Sequence, residues 1–203
     1  MESGLLAMKK KVTIGNGDAL IIVDVQNDFL PGGSLAVLHG DDVMPVLNRY
    51  IKLFQAHGLP IFATRDWHPG NHCSFLEQGG TWPPHCVAGT QGAAFPAQLD
   101  LPSDVHIISK ATTPEKDAYS GFEGTELDDL LRAAGVRRLF VGGLATDYCV
   151  LNTVKDARLL HNYETFLLDD AVRAVNVHPE DGRLALEEMV RLGAEPTVIE
   201  ALA

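Results

Sequence analysis

"ALIIVDV", residues 19–25, is an aliphatic run rich in β-branched side chains and interrupted only by the carboxylate of Asp24. A strand with one wet face would alternate polar and apolar residues. This run does not alternate, so it reads as a strand buried on both faces, as in a parallel sheet. Four more segments share its character: "LPIFATRD" (59–66), "DVHIISK" (104–110), "RRLFVGG" (137–143) and "ETFLLDD" (164–170). "PTVIE" (196–200) is a weaker sixth.

Helical patterns lie between these runs. Residues 42–57 repeat apolar groups at Val43, Val46, Leu47, Tyr50, Ile51 and Phe54, and Gly58 supplies a stop. Residues 125–134, 147–161 and 181–192 read similarly, with Gly135 and Gly193 just past two of the ends. The alternation predicts an α/β fold, a doubly wound, mainly parallel six-stranded sheet flanked by helices. Ligands of such a sheet sit outside the carboxyl ends of its strands.

The chain has 203 residues, 46% of them hydrophobic, which suits one packed domain rather than two. That domain is expected over residues 19–203, behind an N-terminal extension of residues 1–18. Residues 1–7 precede Met8 and three lysines and read as a tag or an upstream start. No apolar run approaches the roughly 18 residues that a bilayer span needs, and the amino terminus lacks the order of a signal peptide. Lys plus Arg number 16 against 27 Asp plus Glu, a net charge of −11, which argues against non-specific nucleic-acid binding. The three cysteines are an odd count, so free thiols in a reducing cytoplasm are expected rather than a disulfide framework.

Residues 67–103 break the rhythm, with many Gly, Pro and His residues and no convincing periodicity. A span of this length without regular structure inside a compact domain is usually functional. At its start stands "RDWHPGNHC" (65–73), followed by "WPPHC" (82–86), so that Asp66, His68, His72 and His85 form D-x-H-x3-H-x12-H. Carboxylate plus imidazole suits Zn, Mn or Fe in an open, water-bearing site. Pro69 and Gly70 exclude a helical pair, so a loop would have to wrap the ion. Two other readings stay open: a structural zinc on His72, Cys73, His85 and Cys86, disfavoured because adjacent side chains diverge, and hydrogen-bonded loop histidines without metal.

Three further candidates stand at strand ends. Cys149 follows "GGLATDY", where Thr146 or Asp147 can cap a helix and place the thiol in its first turn. There the helix dipole lowers a thiol pKa and free N–H groups can hold an oxyanion, although a buried structural cysteine is also common. Asp24 sits among aliphatics and needs a partner or a purpose; a general base beside the thiol is one, and capping of backbone N–H groups is another. Lys110, seen alone, reads as an exposed strand-end lysine.

Taken in order, "ALIIVDVQNDFLPGGSLAV", "ATRDWHPGNHCSF", "TWPPHCVAGTQGA", "DAYSGFEGT" and "GGLATDYCV" resemble the nicotinamidase branch of the isochorismatase-like cysteine hydrolases, over residues 19 to 199. The resemblance implies Asp24 as general base, Lys110 as the third member of a triad and Cys149 as nucleophile. It implies one divalent metal ion on Asp66, His68, His72 and His85, zinc first, with iron or manganese as alternatives. It also implies an oxyanion hole from the N–H groups of Ala145 and Cys149, a cis Leu144–Ala145 peptide, and a ring pocket lined by Phe29, Trp82 and Tyr119. The implied reaction is hydrolysis of nicotinamide to nicotinate and ammonia through a thioester, with pyrazinamide as a further substrate. Relatives occur as monomers and as assemblies, so a homo-oligomer is compatible with the sequence. Carbamoyl or ureido amidohydrolases and isochorismatase-type hydrolases share the fold but generally lack the Asp/His/His/His set. A non-catalytic metal-binding module would not require Asp24, Lys110 and Cys149 together.

Overall fold

A computed structural model of the chain describes residues 11–203; the stretch read as a tag or upstream start lies outside them. The regular elements are β1 (Asp18–Val23), α1 (Val43–Ala56), β2 (Ile61–Asp66), β3 (His106–Lys110), α2 (Leu127–Ala133), β4 (Arg138–Leu144), α3 (Leu151–Leu159), β5 (Glu164–Arg173), α4 (Asp181–Arg191) and β6 (Glu195–Thr197). All six strands pair in parallel, in the order β3-β2-β1-β4-β5-β6. The expected fold class holds, and the sheet is wholly rather than mainly parallel.

Period-two geometry sends successive side chains of a strand to opposite faces, and β1 uses both. Leu20 and Ile22 join Val43, Leu47, Tyr50, Ile51 and Phe54 of α1 in one core. Ala19, Ile21 and Val23 join Leu127, Leu131, Val150, Val154 and Met189, from α2, α3 and α4 and the turn before α3, in the other. This is why the run lacks alternation: both faces of the strand are dry.

Two strand ends differ from the sequence reading. β5 continues past Asp169 and Asp170 to Arg173, because a bulge opposite Val141 and Gly143 resets its register. The Asp170 carboxylate, which reads as a strand terminator, instead accepts from the Tyr50 hydroxyl at 2.8 Å and the Ile199 N–H at 3.0 Å. β6 is cut to three residues, and Ile199–Ala201 turns into a short 3-10 segment. Within the stretch read as an extension, Val12 and Ile14 are buried, and Val12 and Ala201 share a backbone hydrogen bond of 2.9 Å.

At the centre of the sheet, β4 passes very close to the end of β1. Gly143 has φ +126°, and a Cβ there would stand 2.1 Å from the Val23 carbonyl oxygen. Gly143→Ala should therefore cost about 4 kcal/mol or more of folding free energy, read from its urea denaturation midpoint. A loss below about 1 kcal/mol would mean that β4 can move away from β1.

Residues 67–103 hold one short 3-10 turn, Leu76–Gln78, yet their backbone is well tied down. His68 N–H donates to the Cys86 carbonyl at 3.0 Å and Ala88 N–H to the His68 carbonyl at 2.8 Å. Trp82 and Leu76 exchange similar bonds with Ser74 and Trp82 carbonyls, at 3.0 and 2.8 Å. The loop is thus fastened on itself over the carboxyl ends of β1 and β2.

Candidate active site

In the observed strand order the chain reverses direction of travel between β1 and β4, and an open α/β sheet forms its crevice at such a point. Asp24 is the first residue beyond β1, Asp66 ends β2, Lys110 ends β3, and Cys149 lies in a π-helical turn, Thr146–Val150, between β4 and α3. Three non-glycine residues at or beside these strand-end and loop positions hold positive φ: Asp24 at 47°, Cys86 at 46° and Ala111 at 50°. Such conformations cost on the order of 1 kcal/mol or more each and gather at functional sites.

Lys110 joins the strand ends. Its Nζ lies 2.9 Å from Asp24 Oδ2, pairs with Asp66 Oδ1, and stands 3.5 Å from Cys149 Sγ and 3.2 Å from the Ala118 carbonyl. Lys110, Asp24, Asp66 and Cys149 are all buried, so this lysine is not the exposed strand-end residue that its sequence position alone suggests. The Thr64 hydroxyl donates to Asp24 Oδ1 at 2.6 Å, and Cys149 Sγ lies within 4.8 Å of a carboxylate oxygen of Asp24. Among the described residues Asp24 Oδ2 has no aligned hydrogen-bond donor, so Lys110 meets it as an ion pair.

Burial sets the electrostatics. It pushes the Asp24 carboxyl above its ordinary value, with Lys110 opposing the shift. Burial also opposes ionisation of Asp66, but the Lys110 ammonium overcomes it and holds that carboxyl well below the usual range. The Lys110 ammonium is desolvated, yet the two carboxylates raise its pKa well above that of a free lysine. The Cys149 thiol is raised, by burial first and by Asp24 and Asp66 after it. The sequence reading places the thiol where a helix terminus lowers its pKa; in this dry site burial and the two carboxylates push it the other way, with Lys110 opposing them.

The imidazoles occupy the adjacent corner. Ligand atoms of Asp66, His68 and His85 lie within 4.8 Å of one another, and all three residues are buried. His68 Nδ1 donates to the Ala111 carbonyl at 3.2 Å and His85 Nδ1 to the Pro83 carbonyl at 2.8 Å, which leaves each Nε2 with its lone pair free. Burial also lowers the His85 pKa and favours its neutral form. A backbone carbonyl behind each imidazole is the usual support of a metal-ligating histidine. An oxygen and two nitrogens converging on one point, with room for water, fit a Zn, Fe or Mn ion.

His72 stands apart from this group. Its ring stacks on His68 with centroids 4.1 Å apart, but both its nitrogens are engaged. Nε2 donates to the Lys116 carbonyl at 3.2 Å, and Nδ1 accepts from the Ser74 hydroxyl at 2.7 Å. The neighbouring cysteines give no structural zinc site: among the described residues the only metal-compatible groups are Asp66/His68/His85 and Asp24/Asp66/Cys149. Two supports were missed by sequence reasoning. Phe75 lies edge-on to His68, His72 and His85 at 5.6–5.7 Å and forms an apolar floor. The buried Gln26 amide bridges Asp66 N–H and the Asp66 and Ala93 carbonyls at 2.8–2.9 Å, fixing the backbone that carries Asp66.

Asp66, His68, His85 and Cys149 open into one cavity, which Phe29, Trp82, Tyr119, Tyr148, Ala145 and Val175 help to line. All three residues expected to form a ring pocket are therefore on its wall. Trp82 Nε1–H donates to the Tyr119 hydroxyl at 3.1 Å, and Tyr148 packs edge-on to Trp82 at 5.2 Å. Tyr148, which sequence reasoning left without a role, completes that aromatic wall. The Leu144–Ala145 peptide is cis. Neither Thr146 nor Asp147 caps the following turn; Ala145 occupies the cap position, and the Asp147 carboxylate reaches instead to the Val175 and Asn176 N–H groups at 2.9 and 2.8 Å.

Such a site can ionise a thiol against a buried carboxylate, hold a cation, and sandwich a flat ring. Comparison with known proteins points the same way. The Isochorismatase domain family matches residues 18–201. The nicotinamidase of Escherichia coli is 40% identical over 197 residues, covering 87% of this chain and 92% of that protein. The crystal structure of the pyrazinamidase of Pyrococcus horikoshii in complex with zinc superimposes with a TM-score of 0.86 at 53% identity, over 90% of this chain and 99% of that one. That of PnC1 from L. infantum in complex with nicotinate gives 0.87 at 38% identity, over 95% and 98%.

Proposed function

The chain belongs to the isochorismatase domain family, and on that premise we propose that it hydrolyses nicotinamide to nicotinate and ammonia. The observation that carries the reading is one cavity in which a buried thiol, flanked by the Asp24 carboxylate and the Lys110 ammonium, faces an Asp/His/His cluster between aromatic walls.

The proposed chemistry starts from the neutral thiol. With the flat ring between Phe29, Trp82 and Tyr119, the carboxamide carbon meets Cys149 Sγ, and Asp24 takes the thiol proton as sulfur attacks. Lys110 orients Asp24 and compensates the negative charge as it passes from the carboxylate to sulfur. The N–H groups of Ala145 and Cys149 receive the oxyanion. Asp24 then returns its proton to the departing ammonia, leaving a thioester, and deprotonates the water that cleaves it. Each proton thus passes through one carboxylate, whose burial-raised pKa suits both giving and taking.

Asp66, His68 and His85 would hold one divalent ion, zinc first and iron or manganese as alternatives, with His72 supporting from behind His68. When bound, the ion would supply Lewis acidity toward the ring nitrogen of the substrate and toward water in its open positions. Pyrazinamide differs from nicotinamide by one ring nitrogen and fits the same description. All three cysteines are free, which supports a cytoplasmic location, and the acidic charge balance speaks against a nucleic-acid partner. Among the described residues no helix is long and apolar enough to cross a membrane.

The test is ammonia release from nicotinamide by the purified protein, before and after treatment with a metal chelator. Turnover that falls on chelation and returns with added zinc is the expected result. Rapid hydrolysis of a ureido or carbamoyl substrate, with nicotinamide untouched, would overturn the substrate assignment.

A further inference from the structure

We propose that Val175 is a specificity wall of the cavity and that Asp147 is the positioning residue that holds it in place. The inference rests on the amide-hydrolase reading above and deepens it. Val175 lies just beyond β5 and lines the same cavity as Cys149. β5 ends at Arg173, so no strand ladder fixes the Val175 backbone, although its side chain packs against the core.

The fixing comes from the nucleophile's own turn. Asp147, two residues before Cys149, accepts the Val175 N–H on Oδ1 at 2.9 Å and the Asn176 N–H on Oδ2 at 2.8 Å. Two adjacent backbone donors on one carboxylate hold the segment in both position and tilt. Its far side is blocked as well. Asn176, at φ 54°, accepts the Gly182 N–H at 2.8 Å through its side-chain oxygen, and a Cβ on Gly182 would stand 2.6 Å from Ala174 Cβ. Residues 174–176 are therefore clamped between the Cys149 turn and the start of α4. None of these bonds involves Asp24, Lys110 or Cys149, whereas each holds the segment that carries Val175. The position of Val175 is thereby referenced to the attacking sulfur, which is what selection among ring substituents requires.

A methyl or methylene on a pocket wall is worth about 10–200-fold in discrimination. Rates of ammonia release are compared for nicotinamide, 5-methylnicotinamide, 6-methylnicotinamide and quinoline-3-carboxamide. Wild-type protein inactive on nicotinamide would sink the underlying reading without bearing on the wall. Given activity, Val175→Ala should raise kcat/KM for at least one bulkier amide, relative to nicotinamide, by about tenfold or more. Asp147→Asn loses one acceptor and should move the same ratio in the same direction, mainly through KM, because Cys149, Asp24 and Lys110 are untouched. The double variant should gain less than the product of the two, since both changes act on one wall. A folded Val175→Ala protein whose ratios all stay within about twofold of wild type overturns the wall. An Asp147→Asn protein that loses kcat on every amide alike, with ratios unmoved, overturns the clamp. Should that variant not fold, Asp147→Glu keeps two acceptors on a longer arm, and an unmoved ratio there overturns the clamp equally.

Discussion

Cys149→Ala should abolish ammonia release from nicotinamide, with a fall of about 10,000-fold or more, while bound metal and folding stay near wild type. The size follows from the absence of a substitute. Cys86 is buried and its thiol is pushed up by desolvation, and Cys73 does not line the cavity. Water activated by Asp24 would have to attack an amide directly, without the covalent step that divides the barrier. Folding should survive because the change removes one sulfur from a site whose charges are balanced elsewhere: Lys110 keeps both carboxylates as partners. Metal analysis and a thermal melt accompany the assay. Activity within about tenfold of wild type would show that the thiol is not the nucleophile.

His85→Ala should strip the bound metal and with it most of the affinity for nicotinamide, whereas His72→Ala should keep the metal. The distinction rests on which nitrogens are free. His85 uses Nδ1 on the Pro83 carbonyl and offers Nε2, while His72 has a donor on one nitrogen and an acceptor on the other. Losing a supporting residue behind a ligand typically costs about 10–100-fold in metal affinity, which a saturating metal concentration restores. Losing one of three protein ligands is not restored so simply. Metal content after purification and after dialysis against zinc reads the difference for both variants. Equal, irreversible loss in His72→Ala would show that its ring leaves Ser74 and Lys116 to ligate, as the D-x-H-x3-H-x12-H spacing suggests.

The contrast between those two histidines shows what the sequence makes legible. Strand β1 could be read because both its faces are dry, and α1 because one face is. The strand-end positions of Asp24, Lys110 and Cys149 follow from sheet topology, so their meeting could be anticipated from the order of elements. Hydrogen-bond allocation does not follow from order. His72 was expected among the ligands by spacing, but a serine two residues on and a carbonyl 44 positions away engage its lone pair and its N–H. Asp147 likewise has the residue type and place of a helix cap, yet its oxygens find two N–H groups 28 and 29 positions ahead. The Cys149 thiol was expected to be acidic from its local turn alone, and burial, a property of the whole fold, reverses the direction. Phe75 and Gln26 carry no local signal for their roles, since an aromatic and an amide in loops usually mean nothing.

The parallel sheet also has a consequence for how the protein comes into being. Its central pair joins β1 to β4, and the Asp18–Arg138 ion pair there links positions 120 apart. During synthesis β1 and β2 emerge early and can pair, but one edge of β1 then stays open until β4 has left the ribosome. That edge belongs to an aliphatic ribbon meant for two dry faces, the kind of surface that invites wrong partners in a crowded cell. Contacts of such long range close slowly. The nascent chain therefore carries that edge unpaired until β4 ends at Leu144, and its nucleophile, Cys149, follows only once the strand for the sheet's middle seam has been made.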